Sequence, residues 1–130
     1  MNIIFIDDDK AAHTYHSVML ADADIGVTNE EHFYKVQEAL DHLVALINKG
    51  ESDLWPHHIF IDLNMPMQSG YDFVEAYEQL KHPYENPSIV LVSSTKSQRD
   101  IDKIRDIPLI TGFEEKFLEI EYFQSLVSKA

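Results

Sequence analysis

The sequence has no cysteine among its 130 residues, which excludes disulfide bonds and thiolate metal sites. Its longest apolar run, Leu43 to Ile47, is far shorter than the roughly 20 residues that a membrane helix needs. The short apolar start meets three aspartates at once, so it does not resemble a secretory signal. We therefore expect a cytoplasmic protein that does not contact a membrane.

Basic residues are also scarce, with 10 Lys and Arg against 23 Asp and Glu, giving a formal net charge of −13. Such a surface repels nucleic-acid phosphates instead of releasing their counterions, so we expect no direct contact with nucleic acid. The acidity favours solubility, and it leaves open that some acids surround a cation. The length and the 45% apolar content are typical of one globular domain.

Short apolar runs alternate with segments whose apolar residues recur at helical spacing. This alternation predicts an α/β fold, a doubly wound parallel sheet with helices on both faces. The predicted strands are Asn2–Ile6, Ile25–Thr28, His57–Leu63, Ile89–Val92 and Leu109–Phe113. The predicted helices are Lys10–Ala21, Phe33–Asn48, Tyr71–Leu80, Lys96–Arg105 and Glu119–Ser128.

Polar residues follow four of these strands at the point where each ends. Asp7 to Asp9 follow the first strand, Asp62 and Ser93 lie at the ends of the third and fourth, and Lys116 comes after the fifth. Because the carboxyl ends of parallel strands share one edge of a sheet, we expect these side chains to lie together, where such sheets bind ligands.

Several carboxylates at one place need a counter-charge. Two of them about 4 Å apart repel by roughly 4 kcal/mol at an effective dielectric near 20. The available ligands are all oxygens, which suit Mg²⁺ better than zinc. Lys116 adds a fixed positive charge, and the Ser93 hydroxyl can donate to an oxyanion. Together these groups could hold a phosphoryl group.

Four stretches resemble, in order, the motifs of two-component response-regulator receiver domains, in particular single-domain chemotaxis regulators. They are Phe5–Asp9, Ile61–Pro66 with Gly70 after it, Val90–Ser94 and Gly112–Lys116. The resemblance covers nearly the whole chain. It implies a flavodoxin-like fold with strand order 2-1-3-4-5, and a single receiver domain over residues 1–130 without an output domain.

The resemblance also implies a role for each matching site residue. Asp62 would be the phosphorylated nucleophile. Asp8, Asp62 and the backbone carbonyl of Asn64 would bind Mg²⁺, with Asp7 doing so directly or through water. Lys116 would pair with the phosphoryl oxygens. The donor would be a histidine kinase or a phosphotransfer protein.

Further residues would transmit and time the signal. Ser93 would turn toward the phosphate, and the burial of Phe113 would follow it. Asn64 and Thr95 lie where the family tunes dephosphorylation. The switched surface would consist of the fourth helix, the fifth strand and the fifth helix, and it would bind a protein target that the sequence does not identify. Catalysis would be limited to the chain's own phosphorylation and dephosphorylation, so we do not expect an enzyme.

Three features depart from the family pattern. Lys116 is followed by Phe117 instead of proline, and a cis bond before a residue other than proline costs about 2.5–4 kcal/mol. We predict a trans bond here, or a strained cis bond held by the site. Phe113 lacks the hydroxyl of the commoner tyrosine, and the segment 48–57 is longer than usual.

Two other functions remain open. The fold could serve as an adaptor that works without phosphorylation. Alternatively, Ile6–Asp9 resembles the Asp-x-Asp motif of haloacid-dehalogenase-type phosphatases, in which Asp7 would be the nucleophile.

Histidines outside these motifs suggest a metal site only weakly. His57 and His58 are adjacent in a strand and point to opposite faces. His13 and His16 could share a helix face, but no third ligand accompanies them, so we predict surface positions. Trp55 beside Pro56 indicates local packing or a partner contact rather than a cofactor stack.

Overall fold

The protein was analysed as a computed structural model that describes residues 1–128. The predicted domain, 1–130, thus includes two residues outside the described part. The strands are β1 Asn2–Ile6, β2 Asn29–Phe33, β3 His58–Asp62, β4 Ser88–Ser93 and β5 Ile110–Glu115. The helices are α1 Lys10–Ala23, α2 Val36–Lys49, α3 Gly70–Glu78, α4 Gln98–Arg105 and α5 Ile120–Ser128, with a 3₁₀ turn at Ser52–Leu54. Among the described residues, no helix combines the length and apolar character needed to cross a membrane.

The five strands form one parallel sheet in the order β2-β1-β3-β4-β5. This confirms the predicted doubly wound, flavodoxin-like α/β fold. From β1 the chain passes to β2 on one side, and it then returns to place β3 on the other side. The strand order therefore reverses between β1 and β3, and the crevice beyond their carboxyl ends is where ligands bind in such sheets.

Each central strand is buried on both faces, which explains its continuous apolar run. Along β1, Ile4 and Ile6 pack into a core that α2, α3 and α4 cover, while Ile3 and Phe5 face a second core. The second core is covered by α1 and α5, where Leu20 and Phe123 are buried. The two cores fix the sheet between its helical layers and hold its carboxyl edge in place.

The second strand is displaced from its predicted position, Ile25–Thr28, to Asn29–Phe33. It is an edge strand, paired in parallel with β1, and its sequence Asn-Glu-Glu-His-Phe is mostly polar. Ile25 and Val27 instead pack at the margin of the second core as part of the preceding loop. The apolar residues between 25 and 28 therefore belong to a packed loop and not to a strand. The edge strand itself needs few apolar residues because it is partly exposed.

The inward face of α1 includes both of the histidines that the sequence predicted to lie on the surface. It consists of Ala12, His13, His16, Leu20 and Ala23, whereas Val18 is 50% exposed. The prediction that His13 and His16 lie on the surface is wrong, because each side chain is only 4% exposed. Both rings have buried hydrogen-bond partners from other parts of the fold, which helical spacing alone does not reveal.

The long segment before β3 closes the amino-terminal edge of the sheet. Gly50 ends α2 in the left-handed region, with φ of 64°. The Asn2 side chain donates to the carbonyls of Asp53, at 2.7 Å, and Trp55, at 3.0 Å. The buried Trp55 indole donates to the Glu85 carbonyl at 3.0 Å. Trp55 therefore has a local packing role, one of its two predicted roles.

Candidate functional site

The turn after β1 is held in place by its own hydrogen bonds. The Asp7 N–H donates to the Phe33 carbonyl at 3.0 Å, which ties the turn to β2. The Asp9 N–H donates to Asp7 Oδ1 at 2.9 Å, and Asp9 Oδ1 accepts the Ala11 N–H at 3.0 Å. Asp9 thus caps α1, as is favourable for aspartate at a helix start. The turn presents Asp7 and Asp8 beside the end of β3.

The three carboxylates expected to share a cation come together at this edge. Asp7, Asp8 and Asp62 each offer an oxygen, and these oxygens all lie within 4.8 Å of one another. Asp7 and Asp62 are buried, at 6% exposure each, while Asp8 is exposed. Two buried carboxylates and one exposed carboxylate leave the cluster accessible from one side.

Lys116 supplies the counter-charge that the sequence predicted. Its Nζ lies 2.8 Å from Asp7 Oδ2 and 3.2 Å from Asp62 Oδ2, and its backbone N–H donates to the Ser93 carbonyl at 2.8 Å. Burial acts to lower the pKa of Lys116. The hydrogen bonds and charges of Asp7 and Asp62 outweigh burial, so the pKa is raised and the ammonium is held in its charged form.

Asp62 is the carboxylate with the least favourable surroundings for its charge. Burial raises its pKa above the ordinary value, and the Asp7 charge raises it further. The Asn64 N–H, which donates to Asp62 Oδ1 at 3.0 Å, and Lys116 act in the opposite direction without cancelling the rise. A cation at this position would favour the ionised form of Asp62.

The hydroxyl and amide groups assigned to switching and timing lie beside Asp62. Ser93 is buried at the end of β4, and its Oγ accepts hydrogen bonds from Asn64 Nδ2 at 3.3 Å and from the Thr95 N–H at 3.4 Å. Thr95 is exposed. Phe113 lies further back, paired with Leu91 in the β4–β5 ladder and buried to 8% exposure. Phe113 is therefore connected to the site through the pairing of β5 with β4, the strand that carries Ser93.

The glycine of the Asp62 motif is needed for space. A Cβ atom at Gly70 would lie 2.9 Å from Leu91 Cδ2 and 3.3 Å from the Asp62 carbonyl oxygen. The Gly70 N–H also donates to the Leu63 carbonyl at 3.0 Å. Glycine at this position therefore lets the start of α3 lie against the end of β3 without displacing Leu91 or the Asp62 backbone.

The Lys116–Phe117 peptide bond is cis, so of the two forms that the sequence left open the trans form is excluded. The Phe117 ring packs against Tyr15 at 5.2 Å and His16 at 5.7 Å between ring centroids. The next residue, Leu118, donates its N–H to His16 Nε2 at 3.0 Å. Helix α1 therefore supports the loop that carries Lys116.

Sequence analysis missed a group of polar residues under the acidic turn. His13 Nε2 lies 2.7 Å from the Asp7 carbonyl oxygen, and His13 Nδ1 lies 2.6 Å from His32 Nδ1. His32 Nε2 in turn lies 2.6 Å from Glu30 Oε2. The spacing of His13 and His16 was visible in the sequence, but nothing local linked either residue to His32 on β2.

Comparison with known proteins identifies this fold. No family model matches the sequence, and no curated protein matches it. Among solved structures, a two-component response regulator from Cytophaga hutchinsonii superposes with a TM-score of 0.86 at 23% identity, over 98% of this chain and 94% of that one. A response regulator receiver protein from Dyadobacter fermentans gives 0.78 at 26% identity, over 99% and 96%.

The chemotaxis protein CheY4 from Vibrio cholerae gives a TM-score of 0.68 at 21% identity, over 98% of this chain and 96% of that one. Matches that cover nearly all of both chains concern the complete fold and not a shared fragment of sheet. The resemblance first seen in four short motifs is thus confirmed at the level of the fold, and over nearly its whole length the chain has the fold of response-regulator receiver domains.

Proposed function

We propose that this protein is a response regulator of two-component signalling, in which Asp62 accepts a phosphoryl group in a Mg²⁺-dependent reaction. One observation carries the proposal: the carboxylates of Asp7, Asp8 and Asp62 converge within 4.8 Å at the carboxyl edge of a receiver fold, beside the Lys116 ammonium. The receiver fold itself supports membership of a two-component system.

The donor set fits Mg²⁺. It consists of carboxylate oxygens, one of them exposed, and hard cations that retain water prefer such ligands. Asp7, Asp8 and Asp62 would hold the ion, with the backbone carbonyl of Asn64 as the further ligand. When bound, the ion would neutralise charge on the carboxylates and on the incoming phosphoryl oxygens.

The chain's own residues account for the rest of the reaction. An Asp62 carboxylate oxygen forms a bond to phosphorus while the bond between phosphorus and the donor's leaving group breaks, and the leaving group takes that electron pair. Lys116, whose Nζ lies 3.2 Å from Asp62 Oδ2, would pair with the phosphoryl oxygens. Water later replaces the Asp62 oxygen at phosphorus, which releases inorganic phosphate and restores the carboxylate.

A histidine kinase or a phosphotransfer protein would supply the phosphoryl group. The Ser93 hydroxyl would donate to the phosphoryl group, and Phe113 would become more buried as Ser93 turns. Asn64 and Thr95 both donate to Ser93 Oγ, and they would set the lifetime of the phosphate. The surface formed by α4, β5 and α5 would then bind a protein target.

The direct test is incubation of the purified protein with Mg²⁺ and a small acyl phosphate, followed by intact-mass measurement. We expect one phosphate on the wild type, none without Mg²⁺, and none on Asp62→Asn. Asp22→Asn, an exposed change on α1, is the matched control and should be phosphorylated normally.

The same experiment separates the alternatives. A wild type that folds and binds Mg²⁺ but never gains phosphate would favour a phosphorylation-independent adaptor. Phosphorylation that survives Asp62→Asn but not Asp7→Asn would favour the phosphatase-like chemistry in which Asp7 is the nucleophile.

A further inference from the structure

A series of hydrogen bonds, buried at its inner end, connects β2 to the acidic turn through α1. It runs from the Glu30 carboxylate to His32, from His32 to His13, and from His13 to the Asp7 backbone carbonyl, with contacts of 2.6, 2.6 and 2.7 Å. The Ser17 hydroxyl also donates to the Glu30 carboxylate, which fixes the position of Glu30 at the outer end of this series of hydrogen bonds. The residues belong to the turn after β1, to α1 and to β2, and they meet only when β2 pairs with β1.

The partners at the two ends determine the direction of the outer hydrogen bonds. A backbone carbonyl and a carboxylate can only accept, so His13 Nε2 and His32 Nε2 must both carry hydrogen. The other ring nitrogen of His13, Nδ1, faces His32 Nδ1 at 2.6 Å. Nε2 is therefore the His13 nitrogen that donates to the Asp7 carbonyl.

Packing leaves His13 little freedom to turn away. Its side chain is 4% exposed, and its ring centroid lies 4.6 Å from that of Tyr34 and 4.8 Å from that of His32. His32 is stacked on Phe5 at 5.1 Å, which follows from the pairing of these two residues across β1 and β2. The ring nitrogen facing Asp7 is thus set by the core and not by solvent.

We propose that His13 is a positioning residue of the phosphorylation site, holding the Asp7 carbonyl through its Nε2–H so that the carboxylates of Asp7 and Asp8 face the cation. The inference rests on the proposed function, since it concerns the geometry of the same Mg²⁺ site. His32 and Glu30 keep His13 in the donating form. Groups that orient metal ligands in this way contribute about 10–100-fold to metal affinity in other proteins.

The test compares two amide substitutions at His13. The Gln Nε2 lies the same number of bonds from Cβ as the His Nε2, whereas the Asn amide stops at the position of Nδ1. His13→Gln should therefore keep the donor to Asp7, and His13→Asn should lose it. We expect His13→Asn to raise the Mg²⁺ dissociation constant about 10-fold or more and His13→Gln to raise it by less than about threefold, by calorimetry.

A merely structural role for His13 would not produce that difference, because both amides are polar and smaller than imidazole. His82→Leu is the control and should leave Mg²⁺ affinity unchanged. This change removes an imidazole that packs against Trp55 at the other end of the sheet. Equal Mg²⁺ affinity in the wild type and His13→Asn, or equal losses in the Asn and Gln variants, would overturn the proposal.

Ring-nitrogen NMR of the wild type tests the hydrogen-bond chain without any substitution. We expect protonated Nε2 atoms on both His13 and His32. An unprotonated Nε2 on His13 would overturn the proposal even if every variant failed to fold. A wild type that does not bind Mg²⁺ would instead overturn the proposed function, so the two failures are distinguishable.

Discussion

At the residue scale, Asp62 carries a charge that its surroundings oppose, and its removal should stabilise the fold. We expect Asp62→Asn, without Mg²⁺, to raise the free energy of unfolding at neutral pH by about 0.5–2 kcal/mol. The amide keeps the shape of the side chain and can still accept the Asn64 N–H, but it removes a buried charge near Asp7. Urea denaturation of both proteins in chelator measures the difference.

The pH dependence of this difference follows from the raised pKa of Asp62. Ionised Asp62 lowers stability at every pH above its folded pKa. The penalty shrinks as the pH falls through that value and vanishes below the unfolded value, 3.8. Asp22→Asn serves as the exposed control. A gain for Asp62→Asn that grew in acid would contradict this account.

Met67, beside the site, has a backbone conformation that suits another residue better. It is fully exposed and has φ of 72°, in the left-handed region that costs an ordinary residue about 1–2 kcal/mol. Asn tolerates this region, so Met67→Asn should raise the free energy of unfolding by about 0.5–1 kcal/mol. Met67→Leu, with the same backbone cost, should be neutral. Equal effects of Asn and Leu in thermal unfolding would show that backbone strain is not the cause.

At the scale of elements, α1 supports the Lys116 loop through a histidine that must stay neutral. Burial, followed by the charge of Lys116, lowers the pKa of His16 to about 4, and His16 Nε2 accepts the Leu118 N–H. The unfolded chain binds this proton near pH 6.5 and the folded chain does not. Stability should therefore fall as the pH drops from about 6.5 to about 4, by up to about 3 kcal/mol.

His16→Gln should remove this part of the acid sensitivity, because an amide accepts a hydrogen bond without titrating. The measurement is the free energy of unfolding of both proteins across that pH interval. His57→Gln, at an exposed histidine, is the matched control and should leave the slope intact. Parallel curves for the wild type and His16→Gln would mean that groups other than His16 cause the loss of stability in acid, and Asp62 would not be one of them because its penalty shrinks as the pH falls.

The elements also show which parts of the fold the sequence could reveal. Strands β1, β3 and β4 are buried on both faces, so each has an apolar run that ends at a functional residue or just before one. The candidate site could be predicted because its parts follow those ends. The edge strand β2 has no such run, and its position depends on pairing with β1.

The His13–His32 contact could not be predicted from the sequence for the same reason. It joins a helix to that polar edge strand, and it depends on the register that sets His32 beside Phe5. Local periodicity contains no information about this register. Local periodicity could only suggest that a polar residue on α1 faces solvent, which is the usual expectation for a polar side chain.

At the scale of the whole molecule, a net charge of −13 combines with one site where three carboxylates meet a single lysine. Excess acidic charge opposes compactness through self-repulsion. A divalent cation can relieve that repulsion in two ways, by general screening and by binding at the site. Only the second depends on Asp8, which is exposed and therefore removable without opening the core.

Mg²⁺ should stabilise the folded chain by mass action, since the unfolded chain has no formed site. Above the dissociation constant, each tenfold rise in Mg²⁺ should add about 1.4 kcal/mol to the free energy of unfolding. Asp8→Asn should remove most of this slope, while Asp106→Asn, at an acid after α4 that lies outside the acidic cluster, should keep it. Denaturation at constant ionic strength, with Na⁺ replacing Mg²⁺, separates screening from binding. A bound ion must lose affinity when one of its three carboxylates becomes an amide. If the free energy of unfolding of the two variants rises equally with Mg²⁺, the ion therefore acts on the surface charge alone.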